Sequence, residues 1–142
     1  MSQRTMHPEF TLHPQLEQDT CVVMELAVCR VLLMNDARYP WLILVPRFAG
    51  VREIYDLPAD TQDVIWREVG HCGSRLMDLV KADKLNIGAL GNLVPQLHIH
   101  VIARRQDDDA WPAPVWGRGE ARPYTAPARQ KRLEALRLIL AR

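Results

Sequence analysis

The stretch Gln96-Leu97-His98-Ile99-His100-Val101-Ile102 decides the fold of this chain and points to its chemistry. Its polar and apolar residues alternate, which predicts a β-strand because successive side chains of a strand point to opposite faces. The apolar residues Leu97, Ile99 and Val101 are expected to pack into a core. Gln96, His98 and His100 then share the other face, with the two imidazoles about 7 Å apart along the strand.

Two histidines on one strand do not by themselves identify a reaction. Imidazole serves as a nucleophile, a general acid or base, or a metal ligand. The same pattern is also typical of two half-exposed histidines on the solvated face of a sheet. The neighbouring residues are therefore needed to show which interpretation is favoured.

The segment before the histidine strand favours a phosphate-binding site. It brings Gly88 and Gly91, together with Asn86 and Asn92, next to the histidine face. Glycine lets a backbone N–H group approach a ligand closely, and asparagine supplies a neutral donor and acceptor. Such donors can hold a phosphoryl oxygen without lysine. The chain has neither a G-x-x-x-x-G-K-[ST] nor a G-x-G-x-x-G motif.

The remaining patterns predict an α+β fold with a mainly antiparallel sheet of about five strands, one long helix and a C-terminal helix. The expected elements are two strands within 22–35, the second over 28–34, a turn over 35–40, a strand over 41–45, a helix from Pro58 to about Ala82, a strand over 85–90, the histidine strand over 97–103 and a helix over 127–142. Gly70 and Gly73 weaken the long helix by roughly 1 kcal/mol each relative to alanine. They are expected to permit a closely packed neighbour.

Composition excludes several classes of function. The 142 residues contain 18 Lys and Arg against 17 Asp and Glu, a net charge of +1. This balance argues against nucleic-acid binding and membrane binding as functions, because both usually require a basic excess. Three scattered cysteines fit neither a disulfide framework nor a zinc cluster, and they indicate reduced thiols in the cytoplasm. The longest apolar runs are too short to span a membrane, and Met1–Phe10 has no signal-peptide pattern.

The chain changes character after Gln106. Asp107, Asp108 and Asp109 form a charge run, which is usually a solvated loop and could alternatively bind a divalent ion. Trp111 and Trp116 follow among prolines, and three roles are open for them: a lid on a pocket, packing at a subunit interface, or an aromatic cover for the sheet. The prediction is a domain over residues 1–106, with residues 107–142 packed on that same domain.

The histidine strand in this context resembles the histidine triad (HIT) family of nucleotide hydrolases and transferases. The family signature is His-φ-His-φ-His-φ-φ, where φ is apolar, after an Asn-x-Gly turn and a Gly-Gln turn. Here Asn86-x-Gly88, Gly91-Asn92 and the strand 96–102 are similar to it, and so is the upstream hairpin over 31–47. The likeness covers roughly 22–104. It is closest to a bacterial HIT-like hydrolase subgroup with Gln-x-His-x-His in place of the triad.

The resemblance implies a mechanism without a metal or other cofactor. His98 would attack the α-phosphorus of a dinucleoside polyphosphate or AMP-ester substrate, as in Ap4A hydrolases, and form a nucleotidyl-histidine. His100 would donate a hydrogen bond to the α-phosphate. The resemblance also implies a homodimer. The implied substrate-binding residues are Asn86 and Asn92 for phosphate or leaving group, and Asn35 for ribose with Asp36 as a neighbouring candidate.

The chain departs from the family pattern at four positions. Gln96 replaces the first histidine, where it can orient His98 but cannot relay a proton. Trp41 stands where many members have a histidine that bonds to that first one. Asn92 and Leu93 replace a usual Gln and a frequent Ser or Thr. Two alternatives follow: a nucleotide-binding HIT-fold protein with little or no turnover, and a metal-dependent hydrolase that would lack a clear third ligand.

Overall fold

Five antiparallel strands form one sheet in this computed structural model, which describes residues 10–142. In chain order the strands are β1 (Thr20–Glu25), β2 (Cys29–Met34), β3 (Trp41–Pro46), β4 (Lys84–Gly88) and β5 (Ile99–Arg104), and their order in the sheet is β1-β2-β3-β5-β4. The helices are α1 (Pro14–Asp19), α2 (Ala59–Val80) and α3 (Ala126–Leu140), with a short 3₁₀ turn at Ile54–Asp56. The predicted α+β class is confirmed.

The histidine strand β5 lies between β3 and β4. His100 is the partner of Ile43 on one side and of Gly88 on the other. Leu97, Ile99 and Val101 belong to the core beneath α2 and α3, as their alternation predicts. His98 and His100 therefore face the opposite side of the sheet, where a second, smaller core contains Trp41 and Ile43.

Helix α2 crosses the sheet and packs closely at only one of its two glycines. A Cβ atom at Gly73 would lie 2.5 Å from Cδ2 of Leu85, which follows the first residue of β4. The prediction of a close neighbour is confirmed there. It is wrong for Gly70, because nothing lies within 4 Å of a Cβ at that position.

Two side chains from distant parts of the chain hold the turn between β1 and β2. The Glu68 carboxylate on α2 accepts the backbone N–H groups of Val28 and Cys29, at 3.0 and 2.8 Å. The Arg47 guanidinium donates to the carbonyls of three turn residues and pairs with Glu25. These contacts satisfy backbone groups that the turn does not pair internally.

The segment after β5 is anchored by a buried ion pair. Arg104 donates to both carboxylate oxygens of Asp108, at 2.7 and 3.0 Å, and also to the Ala113 carbonyl. Trp111 lies against the same guanidinium, 5.7 Å from ring centre to Cζ. The prediction of a solvated loop is therefore wrong for Asp108, because a buried arginine needs a counter-charge.

Helix α3 completes the core on the α2 side of the sheet. Its buried residues Leu133, Leu136 and Leu140 join the core cluster, which confirms the predicted C-terminal helix. No helix within residues 10–142 is long and apolar enough to cross a bilayer. The prediction about a signal peptide concerns Met1–Phe10, of which residues 1–9 lie outside the described part of the chain.

Candidate active site

A cleft of about 820 Å³ opens on the face of the sheet that carries His98 and His100. The strand β3 contributes Trp41 and Ile43 to its lining, and the segment after β5 contributes Trp116. Helix α1, which the sequence reasoning missed, forms another wall through Leu16. The cleft is large enough for a small organic ligand, since such sites measure roughly 300–1,000 Å³.

The ring of His98 is held by the segment that leads directly into β5. Its Nδ1 lies 2.7 Å from the backbone carbonyl oxygen of Gln96. A carbonyl oxygen only accepts, so Nδ1 is the nitrogen that carries the proton in the neutral ring. The lone pair is then on Nε2 of a buried imidazole that borders the cleft.

The ring of His100 is held in the opposite way. The indole N–H of Trp41 donates to Nδ1 of His100 at 3.0 Å. Burial and, to a smaller extent, the neighbouring His98 together lower the pKa of His100 to about 4. His100 is therefore neutral at pH 7, with its proton on Nε2. The two rings lie edge to face, 5.1 Å between centroids.

The side chain of Gln96 contacts the N-terminal segment. Its Oε1 accepts the backbone N–H of His13 at 2.9 Å, and its Nε2 donates to the Thr11 carbonyl at 2.9 Å. The amide thus fastens the segment that leads into α1. Gln96 orients His98 through its main-chain carbonyl. The side chain of Gln96 contacts residues 11 and 13.

Asn35 and Asp36 both hold the segment before α3. The Asn35 amide oxygen accepts the N–H of Tyr124, and Asp36 accepts the N–H of Arg122. Asp36 also lines the cleft and pairs with Arg38. Burial raises the pKa of the Asp36 carboxyl, but hydrogen bonds, chiefly from Arg38, outweigh it and leave the pKa below its usual value. This carboxylate is charged at pH 7.

The two predicted phosphate contacts lie in different surroundings. Asn92 borders the cleft together with the histidines. The Asn86 amide oxygen instead accepts from the buried Arg104 at 2.9 Å. Leu93, which stands in place of a hydroxyl residue, is 94% exposed. The structure therefore brings Asn92 to the histidines and ties Asn86 to the ion pair behind β5.

The comparisons with known proteins identify the family. The HIT domain model matches residues 15–107, the part of the chain that runs from α1 through the histidine strand. The chain belongs to the histidine triad (HIT) family. No curated protein matches the sequence. Proteins of the HIT family are generally nucleotide hydrolases or transferases.

Solved HIT proteins share this structure almost end to end. A histidine triad protein from Bradyrhizobium japonicum is 45% identical, with 94% of this chain and 99% of that chain covered and a TM-score of 0.91. One from Marinobacter aquaeolei VT8 is 46% identical, with 94% and 98% covered and a TM-score of 0.92. A hypothetical histidine triad nucleotide-binding protein from Sulfolobus tokodaii is 16% identical, with 88% and 86% covered and a TM-score of 0.66, and shows the fold alone.

Several residues of this HIT site were not found by sequence reasoning. Arg38 and Arg118 line the cleft and bring positive charge to it, and Arg38 donates to the Arg118 carbonyl. His13 lines the cleft and caps α1 by accepting the N–H of Gln15. The sequence does carry a signal for α1, because Pro14 follows this capping residue and proline is favoured in the first turn.

Metal ligation has no support within the described residues 10–142. They contain no group of three or more His, Cys, Asp or Glu side chains that could hold an ion. Asp108, a candidate ligand from the charge run, is paired with Arg104. The polar side chains that line the cleft include the two oriented imidazoles, Asn92, the ion pair of Asp36 with Arg38, and Arg118.

Proposed function

We propose that this HIT protein is a nucleotide hydrolase or nucleotidyl transferase that cleaves its substrate at the α-phosphate through a nucleotidyl-histidine intermediate. The proposed substrates are dinucleoside polyphosphates or AMP esters. The observation that carries the proposal is the hydrogen bond from His98 Nδ1 to the Gln96 carbonyl. It leaves the lone pair on Nε2, in a buried ring beside a cleft of suitable volume.

The proposed reaction has two displacements. In the first, the Nε2 lone pair of His98 forms a bond to the α-phosphorus, and the bond from phosphorus to the bridging oxygen breaks. The leaving group departs with that electron pair. In the second, water attacks the same phosphorus and loses a proton to solvent, while the bond from phosphorus to Nε2 breaks and its electron pair returns to Nε2. This step releases the mononucleotide and restores neutral His98. An alcohol or phosphate in place of water would make the reaction a transfer.

His100 is proposed as the donor that stabilises the transition state. Its Nε2–H can donate to a phosphoryl oxygen as negative charge grows there, while Nδ1 remains bonded to Trp41. A preorganised donor of this kind typically contributes about 10²–10³ in rate. Because the pKa of His100 is about 4, this donor is unchanged between pH 6 and pH 8.

The remaining substrate contacts are assigned by position. We propose Asn92 for the phosphate or leaving group and the Asn35–Asp36 turn for the ribose. Asn86 is less suited to the phosphate because its amide oxygen accepts from Arg104. Gln96 represents the Gln-x-His-x-His variant of the triad. In this variant the first position holds the segment that leads into α1 and does not transfer a proton.

The decisive experiment compares the wild type with His98→Ala on a panel of dinucleoside polyphosphates and AMP esters, with and without EDTA. We expect mononucleotide release that EDTA does not affect and that the substitution abolishes. Acid quench of a labelled nucleotide should trap the label on the wild-type protein alone. Asp107→Ala is the matched control, since the Asp107 side chain is exposed and does not line the cleft. Equal release from wild type and His98→Ala would refute the proposal.

A second candidate function is nucleotide binding with little turnover. The contacts of Gln96 with the N-terminal segment favour it, because the family's first histidine is absent and its replacement has taken a structural task. Isothermal titration with AMP separates the two candidates. Binding to the wild type without release of product from any substrate in the panel would support this second function.

We also propose that the protein is a homodimer located in the cytoplasm and that it does not bind nucleic acid. Strand β4 lies at an edge of the sheet, and its residue Ile87 is 47% exposed. Such an edge favours pairing with another chain. All three cysteines are free thiols, and the net charge is only +1. Sedimentation equilibrium tests the assembly: a single species of 16.3 kDa would contradict it.

A further inference from the structure

The hydrogen bond from Trp41 to His100 fixes which nitrogen of His100 carries the proton. Indole N–H is a donor and never an acceptor, so Nδ1 of His100 must offer its lone pair at the 3.0 Å contact. Both side chains are buried. The proton of the neutral ring is therefore confined to Nε2.

The surroundings of His100 keep its imidazole ring neutral. Three aromatic rings frame the imidazole: Trp41, Trp116 and His98, with centroids 5.7, 5.3 and 5.1 Å away. From β4 the register partner is Gly88, and from β3 it is Ile43, neither of which titrates. His98 is the titratable group in direct ring contact with His100.

The charged groups farther along the cleft are already paired or solvated. Asp36 is bound to Arg38, whose guanidinium also donates to the backbone of Arg118. On α1, Asp19 accepts from the side-chain amide of Gln15. Protonation of His100 would set an imidazole N–H against the indole N–H and break their hydrogen bond. The geometry of this hydrogen bond and the burial of the ring thus both disfavour protonation of His100.

We propose that Trp41 is a positioning residue that locks His100 as its Nε2–H tautomer, so that His100 serves as a fixed hydrogen-bond donor to the phosphoryl group and not as an acid or base. This inference rests on the proposed function for its role in catalysis. The tautomer lock itself is a property of the unliganded protein. Trp41 donates to His100, while the side chain of Gln96 accepts from the backbone of His13.

The test replaces the Trp41 indole by benzothiophene, introduced as the benzothienylalanine isostere by amber suppression. The isostere keeps the bicyclic shape and removes the N–H donor. The same replacement at Trp66 is the matched control, because that side chain is half exposed on α2. Trp41→Phe serves as a second variant that needs no unnatural residue.

The first readout is the ¹⁵N NMR spectrum of the His100 ring without ligand. In the wild type we expect a pure Nε2–H tautomer that stays constant from pH 8 to pH 5.5. In the isostere at position 41 we expect an Nδ1 shift averaged between two tautomers and titration at higher pH. A wild-type ring protonated at Nδ1, or an isostere with an unchanged Nδ1 shift, overturns the inference.

The second readout is turnover of the same AMP esters. The isostere at position 41 should lower kcat by about 10-fold, with little change in KM, and should alter the pH dependence of kcat relative to the wild type. The isostere at position 66 should change neither. Unchanged kcat in the position-41 variant would overturn the positioning role. If the wild type turns over no substrate, the proposed function fails, and the NMR readout alone decides the tautomer lock.

Discussion

The ion pair behind the histidine strand offers a sharp test of what holds the fold together. Arg104 is 2% exposed and Asp108 is 7% exposed, and two hydrogen bonds of 2.7 and 3.0 Å join them. In Asp108→Asn, one acceptor oxygen becomes an NH₂ group that faces donors, and the buried guanidinium loses its counter-charge. Breaking a buried pair in this way costs about 3–5 kcal/mol in the free energy of unfolding.

The matched control is Asp107→Asn. The Asp107 carboxylate pairs with Arg105 at a similar distance of 2.9 Å, but its side chain is 71% exposed. Its loss should leave the free energy of unfolding nearly unchanged, since exposed pairs are solvated and entropically unfavourable. Urea unfolding at pH 7, followed by tryptophan fluorescence, measures both variants. A loss below about 1 kcal/mol for Asp108→Asn would refute the reasoning, because the burial of the pair would then be irrelevant.

The pH dependence of the stability of Asp108→Asn provides an independent check. Burial raises the pKa of the Asp108 carboxyl, but hydrogen bonds from Arg104 and from three backbone N–H groups outweigh it and lower the pKa to about 2. A native pKa below the unfolded value of about 3.9 stabilises the protein above that pH. This stabilisation is lost as the pH falls through about 2. The difference between wild type and variant should therefore shrink from pH 4 to pH 2, and a constant difference would contradict the assignment.

Two further predictions concern α2 and are measured by urea unfolding. Glu68→Gln turns an acceptor of a turn N–H into a donor, so the free energy of unfolding should fall by about 1–3 kcal/mol. A fall of less than about 0.5 kcal/mol would show that water replaces the carboxylate. Gly70→Ala should raise it by roughly 1 kcal/mol because the new Cβ meets open space. Gly73→Ala should gain less or lose stability, since its Cβ would displace a Leu85 methyl group, and equal gains at both glycines would contradict this.

The sheet and the long helices were predictable because their patterns repeat. The alternation in the histidine strand placed Leu97, Ile99 and Val101 in the core and the two histidines on the opposite face. The stripe of apolar residues over 59–80 is likewise enough to define α2. These elements are stabilised by burial of one face, and burial of one face leaves a period in the sequence.

The features that the sequence could not supply depend on contacts and burial that arise only in the folded chain. Helix α1 has only six residues and one buried side chain, too few to show a period. Arg104 is only four residues before Asp108, but the sequence does not show that this pair is buried while the adjacent pair of Arg105 and Asp107 is exposed. Trp41 meets His100 because β3 and β5 pair in a particular register, which neither strand encodes alone.

The turn between β1 and β2 has a consequence for the order of folding. Its residues 26–28 are Leu-Ala-Val, with no glycine, proline or asparagine to favour a reversal locally. The Glu68 carboxylate that completes it lies 40 residues away from Val28. A chain must close that long loop before the turn is stabilised, so this hairpin is expected to consolidate late. Substitutions in the turn should then accelerate unfolding more than they slow folding.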